Sequence, residues 1–196
     1  MSAQPQPQPQ LPVTMQAYLA AEQLSTVKHE YAAGQVSAIA GASERHNRIA
    51  GNVFASLHAA CKQASCTPFI SDIRVKIDQV IYYPDVMVAC DPTDSDPYLK
   101  SAPCLIVEVL SNSTERIDRG EKLYNYQKIP QLSAHLLIAQ DQLRVDVYRR
   151  AGVNWLFETY SDLSDVIRLD CPETTLGLAE IYERIVFPNP DLISAS

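Results

Sequence analysis

Residues 82–110, YYPDVMVACDPTDSDPYLKSAPCLIVEVL, are the part of the sequence that decides the fold. Two apolar runs, YYPDVMVAC and CLIVEVL, flank a polar, proline-rich loop. Near-continuous apolar runs of this length are typical of strands that are covered on both faces. One carboxylate interrupts each run, Asp85 in the first and Glu108 in the second. The pattern predicts two central strands of a sheet, each with an acidic residue in an otherwise apolar setting.

The residues before this stretch predict two helices and a hairpin. Thr14 is expected to cap a short helix, and residues 29–41, HEYAAGQVSAIAG, predict two short strands around a turn at Ala33-Gly34. A helix of about five turns is expected after Ser43, its predicted N-cap. The apolar stripe of that helix recurs every four residues and consists of Ile49, Val53, Leu57 and Cys61.

Later segments continue the alternation of strands and helices. Residues 69–77, FISDIRVKI, alternate apolar and charged side chains and predict one strand with a solvated face. Asp118 and Glu121 have capping-box spacing, which predicts a helix that runs through Lys128 and ends before Pro130. Three more strands (HLLIAQ, LRVDVYRR and NWLFETYS) and a short helix, LGLAEIYERI, follow. This order predicts an α/β fold with a mixed β-sheet core flanked by helices on both faces.

The length of 196 residues, against a typical domain of about 150, predicts one domain with short appendages. We expect a disordered Gln/Pro tail over residues 1–12, the domain over residues 13–187 and a C-terminal tail over residues 188–196. No apolar run approaches the ~20 residues that span a bilayer, and the first residues lack the pattern of a secretory signal. A cytoplasmic protein without membrane contact is therefore expected.

The five cysteines fit that compartment. They are odd in number and form no CxxC pair, a pattern that favours neither a disulfide framework nor a zinc knuckle. Cys90 and Cys104 lie in apolar runs and are expected to be small, buried hydrophobic residues.

The two acids of the central strands point to a metal site. Ionised carboxylates are almost never fully buried unless they are paired or coordinated, and a divalent cation bridging Asp85 and Glu108 would satisfy both. Oxygen ligands suit Mg²⁺ or Mn²⁺. Two structural alternatives stay open: Asp85 can cap a turn at the start of a strand, and Glu108 can be ion-paired to an arginine such as Arg74.

Lys122 is the third candidate. It lies four residues into the helix predicted from Asp118, next to the end of the Glu108 strand, where it could stabilise a pentavalent phosphate or help activate a water. The alternative is an ordinary solvated helical lysine.

Several segments together resemble a known family. They are Pro84-Asp85, the acid of EVLS at residues 108–111, STERIDRGEKLYNY at 113–126, HEYAAGQV at 29–36 and GASERHNRIAGN at 41–52. In this order they resemble the PD-(D/E)XK nuclease superfamily and, more closely, the Uma-type family of bacterial proteins named after restriction endonucleases. The similarity extends from about Thr14 to Arg150.

The resemblance implies a restriction-endonuclease-like core and metal-dependent hydrolysis of DNA phosphodiester bonds. It implies that Asp85, Glu108 and the backbone carbonyl of Val109 hold Mg²⁺ or Mn²⁺. Glu30 would correspond to the acidic residue on the N-terminal side, with a role at a second metal. Lys122 would be the catalytic lysine, moved to the next helix, because the usual position two residues after the acid is Leu110.

His46 is a further candidate catalytic residue, either contacting substrate phosphate or positioning a water; the alternative is a histidine that bonds the neighbouring backbone near a helix start. The net charge of −7, from 16 basic and 23 acidic residues, requires DNA-contacting charges to be focused on one face. Basic residues that flank the candidate site in sequence are Arg45, Arg48, Arg116, Arg119 and Lys122, with scattered solvated charges as the alternative.

Three functions therefore compete. The first is a metal-dependent endonuclease, and the second is a catalytically silent nuclease-fold module that binds DNA or protein. The third is a structural protein whose two acids, Asp85 and Glu108, are ion-paired, which requires them to point away from each other. A homodimer is expected for an enzyme that cuts both strands, with the aromatic-rich late strands as either its interface or core.

Overall fold

The computed structural model describes residues 12–187. Within this range the strands are β1 His29–Ala32, β2 Gln35–Ala38, β3 Thr67–Ile70, β4 Arg74–Ile77, β5 Val80–Tyr82, β6 Val86–Ala89, β7 Leu99–Lys100, β8 Pro103–Leu110, β9 Ala134–Ala139, β10 Val145–Ala151, β11 Asn154–Tyr160, β12 Val166–Asp170 and β13 Glu173–Gly177.

The helices are α1 Met15–Glu22, α2 Glu44–Cys61, α3 and α4 Leu178–Ile181. We use α3 for three consecutive pieces: an α-helical turn Glu115–Ile117, a π-helical turn Asp118–Lys122 and an α-helical turn Leu123–Tyr126.

The described strands form two larger sheets and a separate hairpin. One sheet has the order β2-β1-β5-β4-β7 and the other has the order β11-β10-β9-β8-β6-β3. Within residues 12–187, strands β12 and β13 pair only with each other. The larger sheet is mixed, since β8 and β9 run parallel and its other neighbours run antiparallel. The predicted α/β class with a mixed sheet is confirmed, with two principal sheets instead of one.

Two apolar cores cover the opposite faces of the six-stranded sheet. On one face, the apolar stripe of α2 packs against Val86, Val107 and the β12–β13 hairpin. On the other face, Met87 and Ile106 pack against β4, β5 and Tyr126 of α3. Strand alternation explains the division, because successive residues point to opposite faces. The prediction of helices on both faces is confirmed.

Local signals produced the first elements as predicted. Thr14 Oγ1 accepts a hydrogen bond from the Ala17 backbone N–H at 3.2 Å and caps α1. The Ser43 hydroxyl accepts from the His46 backbone N–H at 3.1 Å at the start of α2. The β1–β2 turn has φ of 47° at Ala33 and 98° at Gly34, so both central residues take the left-handed conformation of a tight hairpin.

Two predicted strands are each divided between the two sheets, which corrects the sequence interpretation. Residues 69–77 form the end of β3 and all of β4, separated by residues 71–73, of which Ser71 has a φ of 62°. Residues 82–90 likewise contain the end of β5 and all of β6, with Tyr83, Pro84 and Asp85 between them. The apolar run of residues 82–90 carries no signal for such a transfer, because Tyr82 and all of β6 are buried.

Helix α3 begins earlier than predicted. The Ser111 carbonyl accepts hydrogen bonds from the backbone N–H groups of Thr114 at 3.1 Å and Glu115 at 2.9 Å. The Ser111 hydroxyl also accepts from Thr114 N–H at 3.3 Å. Asp118 is therefore not a cap, and it lies buried inside the helix. The helix ends at Tyr126, short of Lys128.

The cysteines contradict the sequence interpretation. Disulfide bonds join Cys66 to Cys90 and Cys104 to Cys171, and Cys61 is free and buried. Cys90 and Cys104 are thus bonded cysteines instead of free apolar residues. The partners are 24 and 67 residues apart in sequence, so only the packing of the strands brings them together.

The predicted tails lie almost entirely outside the described residues, which exclude 1–11 and 188–196. Among residues 12–187, no helix combines the length and apolar character needed to cross a membrane.

Candidate active site

Asp85 and Glu108 are neighbours across two adjacent strands. Antiparallel β6 and β8 pair Val86 with Val107 and Met87 with Ile106, so the next position in register sets Asp85 opposite Glu108. The Asp85 backbone N–H lies 3.4 Å from Glu108 Oε2. Strand alternation places Glu108 on the same face of β8 as Ile106, whereas Asp85 precedes β6 and its Oδ2 contacts the Val109 backbone N–H and His46 of α2. Each acid has its own basic partner, His46 for Asp85 and Lys122 for Glu108, so the structural alternative with ion-paired acids stays open.

The two structural alternatives for these acids fare differently. Asp85 does stand at a strand start, directly before β6, and its Oδ2 accepts a hydrogen bond from the Val109 backbone N–H at 2.7 Å. Glu108 is not paired to Arg74, whose Nε donates to the Tyr98 carbonyl at 3.3 Å. The cation beside Glu108 is Lys122.

Lys122 lies among three carboxylates, of which Glu108 and Asp118 are buried and Glu30 is partly buried. Its Nζ is 2.9 Å from Glu30 Oε1, 3.4 Å from Glu108 Oε1 and 3.2 Å from Asp118 Oδ1. The Lys122 side chain is 7% exposed, so it is not a solvated helical lysine. Burial lowers the pKa of Lys122, but the surrounding carboxylates outweigh burial and raise it well above its usual value. The lysine is therefore charged.

Glu30 reaches this group from the other sheet. It lies on β1, and its Oε1 accepts a hydrogen bond from the Tyr83 backbone N–H at 3.2 Å as well as contacting Lys122. Tyr83 belongs to the connection between β5 and β6, the same connection that holds Asp85. The crossing of the chain between the sheets thus brings residues 30, 85, 108 and 122 into one place.

His46 approaches the site from α2. Its Nε2 is 3.2 Å from Asp85 Oδ2, and its side chain is 14% exposed. Burial lowers the pKa of His46, whereas hydrogen bonds to Asp85 and to the Val109 backbone raise it, and the net shift is upward. His46 therefore contacts two of the three predicted metal ligands. The alternative of a histidine that bonds only neighbouring backbone is wrong.

The sequence interpretation missed two side chains of the site. Tyr126 donates its hydroxyl hydrogen bond to Glu108 Oε1 at 2.7 Å, and Asp118 contacts Lys122. Both lie four residues from Lys122, which places all three on one side of α3. The four-residue spacing was the sequence signal that could have placed Asp118 and Tyr126 beside Lys122. Asp118 was instead interpreted as a helix cap.

The site carries an excess of acidic groups. Four carboxylates, on Glu30, Asp85, Glu108 and Asp118, face the basic groups of Lys122 and His46. Burial is the main reason that the pKa of Glu108 is raised well above its usual value, and the charges of Asp118 and Asp85 add to the effect of burial. A buried site with more carboxylates than basic groups compensates its excess negative charge by taking up either a proton or an added cation.

The donor atoms suit a hard divalent cation. Asp85 and Glu108 offer carboxylate oxygens from adjacent strands, and Val109, next to Glu108, offers its backbone carbonyl. Oxygen-only sets of this kind match Mg²⁺ and Mn²⁺, which complete their coordination with water. The residues present therefore fit the predicted metal, whose binding stays a prediction.

The predicted basic cluster is only partly present. Lys122 is in the site, and Arg119 pairs with Asp146 at 2.7 Å. Arg48 pairs with Glu44 at 2.9 Å, and Arg45 Nη1 donates to the Val186 carbonyl at 3.3 Å. The alternative of dispersed charges describes Arg45 and Arg48 better.

Comparison with known proteins identifies the family. The Uma2 family model, described as "Putative restriction endonuclease", matches residues 15–179. Two uncharacterized proteins of Synechocystis sp. are similar to the chain. The protein slr1290 is 33% identical over 174 residues, which cover 87% of this chain and 91% of the relative. The protein sll1609 is 37% identical over 145 residues, which cover 71% and 82%.

A solved structure shares the fold. It is described as a putative nuclease belonging to DUF820 from Anabaena variabilis, and it superposes with a TM-score of 0.73 at 16% identity. The match covers 89% of this chain and all of the other chain. The family model spans most of the sequence and slr1290 aligns over nearly the whole chain, so the predicted resemblance is confirmed: the chain belongs to the Uma2 family.

Proposed function

We propose that this protein is a metal-dependent endonuclease that hydrolyses phosphodiester bonds of DNA. The observation that carries the proposal is the cross-strand pair of Asp85 and Glu108, with the buried, charged Lys122 beside Glu108. Membership of a family described as restriction endonucleases supports the reaction class. The acidic excess of the site supports the need for a divalent cation.

Each residue has a role in this proposal. Asp85, Glu108 and the Val109 carbonyl would hold Mg²⁺ or Mn²⁺, which would supply Lewis-acid activation of a water and positive charge for the scissile phosphate. Lys122 supplies positive charge where the pentavalent phosphate forms, and Glu30 holds its ammonium in position.

His46 completes the proposed site. Its exposed fraction of 14% lets it contact a phosphate oxygen or a water, while Asp85 orients the ring. Glu30 is also the proposed ligand of a second metal.

Nicking of supercoiled plasmid by the purified chain tests the proposal. We expect open-circular product with Mg²⁺ or Mn²⁺, no product with excess EDTA, and at least about a 100-fold loss of rate in Asp85→Ala. Asp72→Ala is the matched control, because its carboxylate is 77% exposed and lies outside the site. Equal nicking by Asp85→Ala and the wild-type chain would show that the activity comes from elsewhere.

A non-cutting module that binds DNA or protein is the second candidate. The observation in its favour is that the cationic groups near the site are occupied internally, Lys122 by three carboxylates and Arg119 by Asp146. Calorimetric titration with Mn²⁺ separates the candidates. The endonuclease requires binding that Glu108→Gln abolishes, whereas DNA binding without Glu108-dependent Mn²⁺ binding supports the silent module.

A further inference from the structure

Four cysteines converge at the other end of the strands that carry the acidic pair. Cys90 follows β6, five residues beyond Asp85, and Cys104 lies on β8, four residues before Glu108. At about 3.3 Å per residue, the cysteines are roughly 13–17 Å from the acids along the strands. The cluster is therefore distinct from the candidate active site.

Different parts of the fold supply the four sulfurs. Antiparallel β3 and β6 pair Thr67 with Ala89, so the next position sets Cys66 opposite Cys90. Cys104 comes from the central strand β8 and is buried. Cys171 lies in the turn between β12 and β13. The cluster thus connects the six-stranded sheet to the separate hairpin.

The sulfurs form one group, not two isolated pairs. Cys90 Sγ lies 3.2 Å from Cys171 Sγ and 3.5 Å from Cys104 Sγ, although its disulfide partner is Cys66. The sulfurs of Cys66, Cys90 and Cys171 all lie within 4.8 Å of one another. A zinc ion bound to four thiolates at about 2.3 Å requires sulfur separations of about 3.8 Å, and the separations of Cys90 Sγ from Cys104 Sγ and Cys171 Sγ are already close to that value.

We propose that the reduced chain binds one Zn²⁺ through the thiolates of Cys66, Cys90, Cys104 and Cys171. A phosphine or thiol reductant first converts the two disulfides to four thiols, a change that consumes four electrons and four protons. Zinc binding then releases the four thiol protons and forms four Zn–S bonds. The ion would cross-link β3, β6 and β8 to the β12–β13 hairpin, as the disulfides do in the oxidised chain.

Cobalt substitution of the full-length chain tests the site. The protein is reduced with a phosphine, freed of metal, and titrated with Co²⁺ in the absence of oxygen. We expect about one Co²⁺ per chain with a sulfur-to-cobalt charge-transfer band, which only thiolate ligands produce, and displacement of the band by Zn²⁺. Because the readout is thiolate absorption, the carboxylates of the nuclease site do not contribute to it.

Four variants assign the band. Cys90→Ser and Cys171→Ser should lose it, whereas Cys61→Ser should keep it, because Cys61 is buried in α2 outside the cluster. Asp85→Asn should also keep it, which separates this site from the proposed nuclease metal. The proposal is overturned if the fully reduced wild-type chain shows no thiolate band. It is equally overturned if Cys90→Ser retains the band or Cys61→Ser loses it.

Discussion

Glu108 is the residue at which burial and charge conflict most strongly. It is 3% exposed, and it is held by the Lys122 ammonium and the Tyr126 hydroxyl. Removing one partner of a buried ion pair costs more folding free energy than the intact pair contributes, because the other charge stays buried without a compensating charge. The stability and the chemistry of the site are therefore both sensitive to Lys122.

Lys122→Met should lower the free energy of unfolding by about 3–5 kcal/mol at pH 8. Without the ammonium, the pKa of Glu108 in the folded chain rises further above its value in the unfolded chain. A raised carboxyl pKa costs stability at high pH, and the cost disappears as the pH falls and Glu108 takes up a proton. Urea denaturation should thus show a smaller deficit at pH 5 than at pH 8.

The double variant Glu108→Gln/Lys122→Met is the matched control for this effect. It removes both charges, and its stability relative to the wild type should change much less with pH than that of Lys122→Met. A deficit of Lys122→Met that is equal at both pH values would contradict the assignment of Glu108 as the uncompensated group.

His135 provides a second test at the residue scale. It is fully buried on β9, and neither ring nitrogen has a hydrogen-bond partner among the described residues. Burial, together with the charge of Lys122, lowers the pKa of His135 to about 3. His135→Phe keeps the edge-on packing against Tyr126, whose ring centroid is 5.0 Å away, and removes the unpaired nitrogens. We expect it to raise the free energy of unfolding by about 1–3 kcal/mol at pH 7.5.

The advantage of His135→Phe should grow as the pH falls. Below about pH 6.5 the unfolded chain protonates His135, whereas the folded chain keeps the ring neutral. The free energy of unfolding of the wild-type chain therefore falls by about 1.4 kcal/mol per pH unit below that value. At pH 5 the difference between the variant and the wild type should thus be about 2 kcal/mol larger than at pH 7.5. A difference that is constant over this range would show that His135 is not buried as a neutral ring.

At the scale of elements, the strand register and the π-helical turn together create the site. The β6–β8 register places Asp85 opposite Glu108, and the π-helical turn determines how Asp118 and Lys122 face them. A π-helical turn contains one more residue than the corresponding α-helical turn, and such turns occur frequently at functional sites. Gly120 lies within this turn, with open space around the position of an added side chain.

Deletion of Gly120 should convert the π-helical turn into an α-helical turn and rotate Asp118 relative to Lys122. Plasmid nicking should fall by about 100-fold, as expected when a catalytic group is misplaced by about 1 Å. Gly120→Ala is the control: it keeps the chain length, should leave nicking unchanged, and should raise the unfolding free energy by up to about 1 kcal/mol. Comparable nicking by the deletion variant and the control would show that the π-helical turn does not position Lys122.

At the scale of the whole molecule, the edge strand β11 is the best candidate for self-association. It ends the six-stranded sheet, and it exposes Leu156 and Phe157 by 52% and 55%. Apolar edge strands readily pair with a second chain. The late aromatic residues are therefore not all core, and the expected homodimer stays a prediction.

Light scattering at micromolar concentration tests the dimer. Phe157→Glu should shift the chain from dimer to monomer, because a charge on the edge strand opposes pairing. Leu163→Glu is the matched control, since Leu163 is also 55% exposed but follows β11. A wild-type chain that is strictly monomeric at this concentration would contradict the predicted homodimer.

Sequence alone determined the elements whose signals are local. The periodic stripe of α2, the caps at Thr14 and Ser43, and the β1–β2 turn were all predictable, because each depends on residues within one helical or hairpin turn. The acids in apolar strands were equally visible, because burial of a charge is unusual wherever it occurs. The order of these segments also sufficed for the family.

Only the tertiary structure decided which of these residues meet. Transfer of the chain from β5 to β6 between sheets brought Glu30 to Lys122, across 92 residues of sequence, and the same packing joined Cys104 to Cys171. The π-helical turn, which replaced the predicted cap, brought Asp118 into the site. Such contacts arise when whole strands pack against one another. This long-range packing produces no periodic pattern in the sequence at the residues that it brings together.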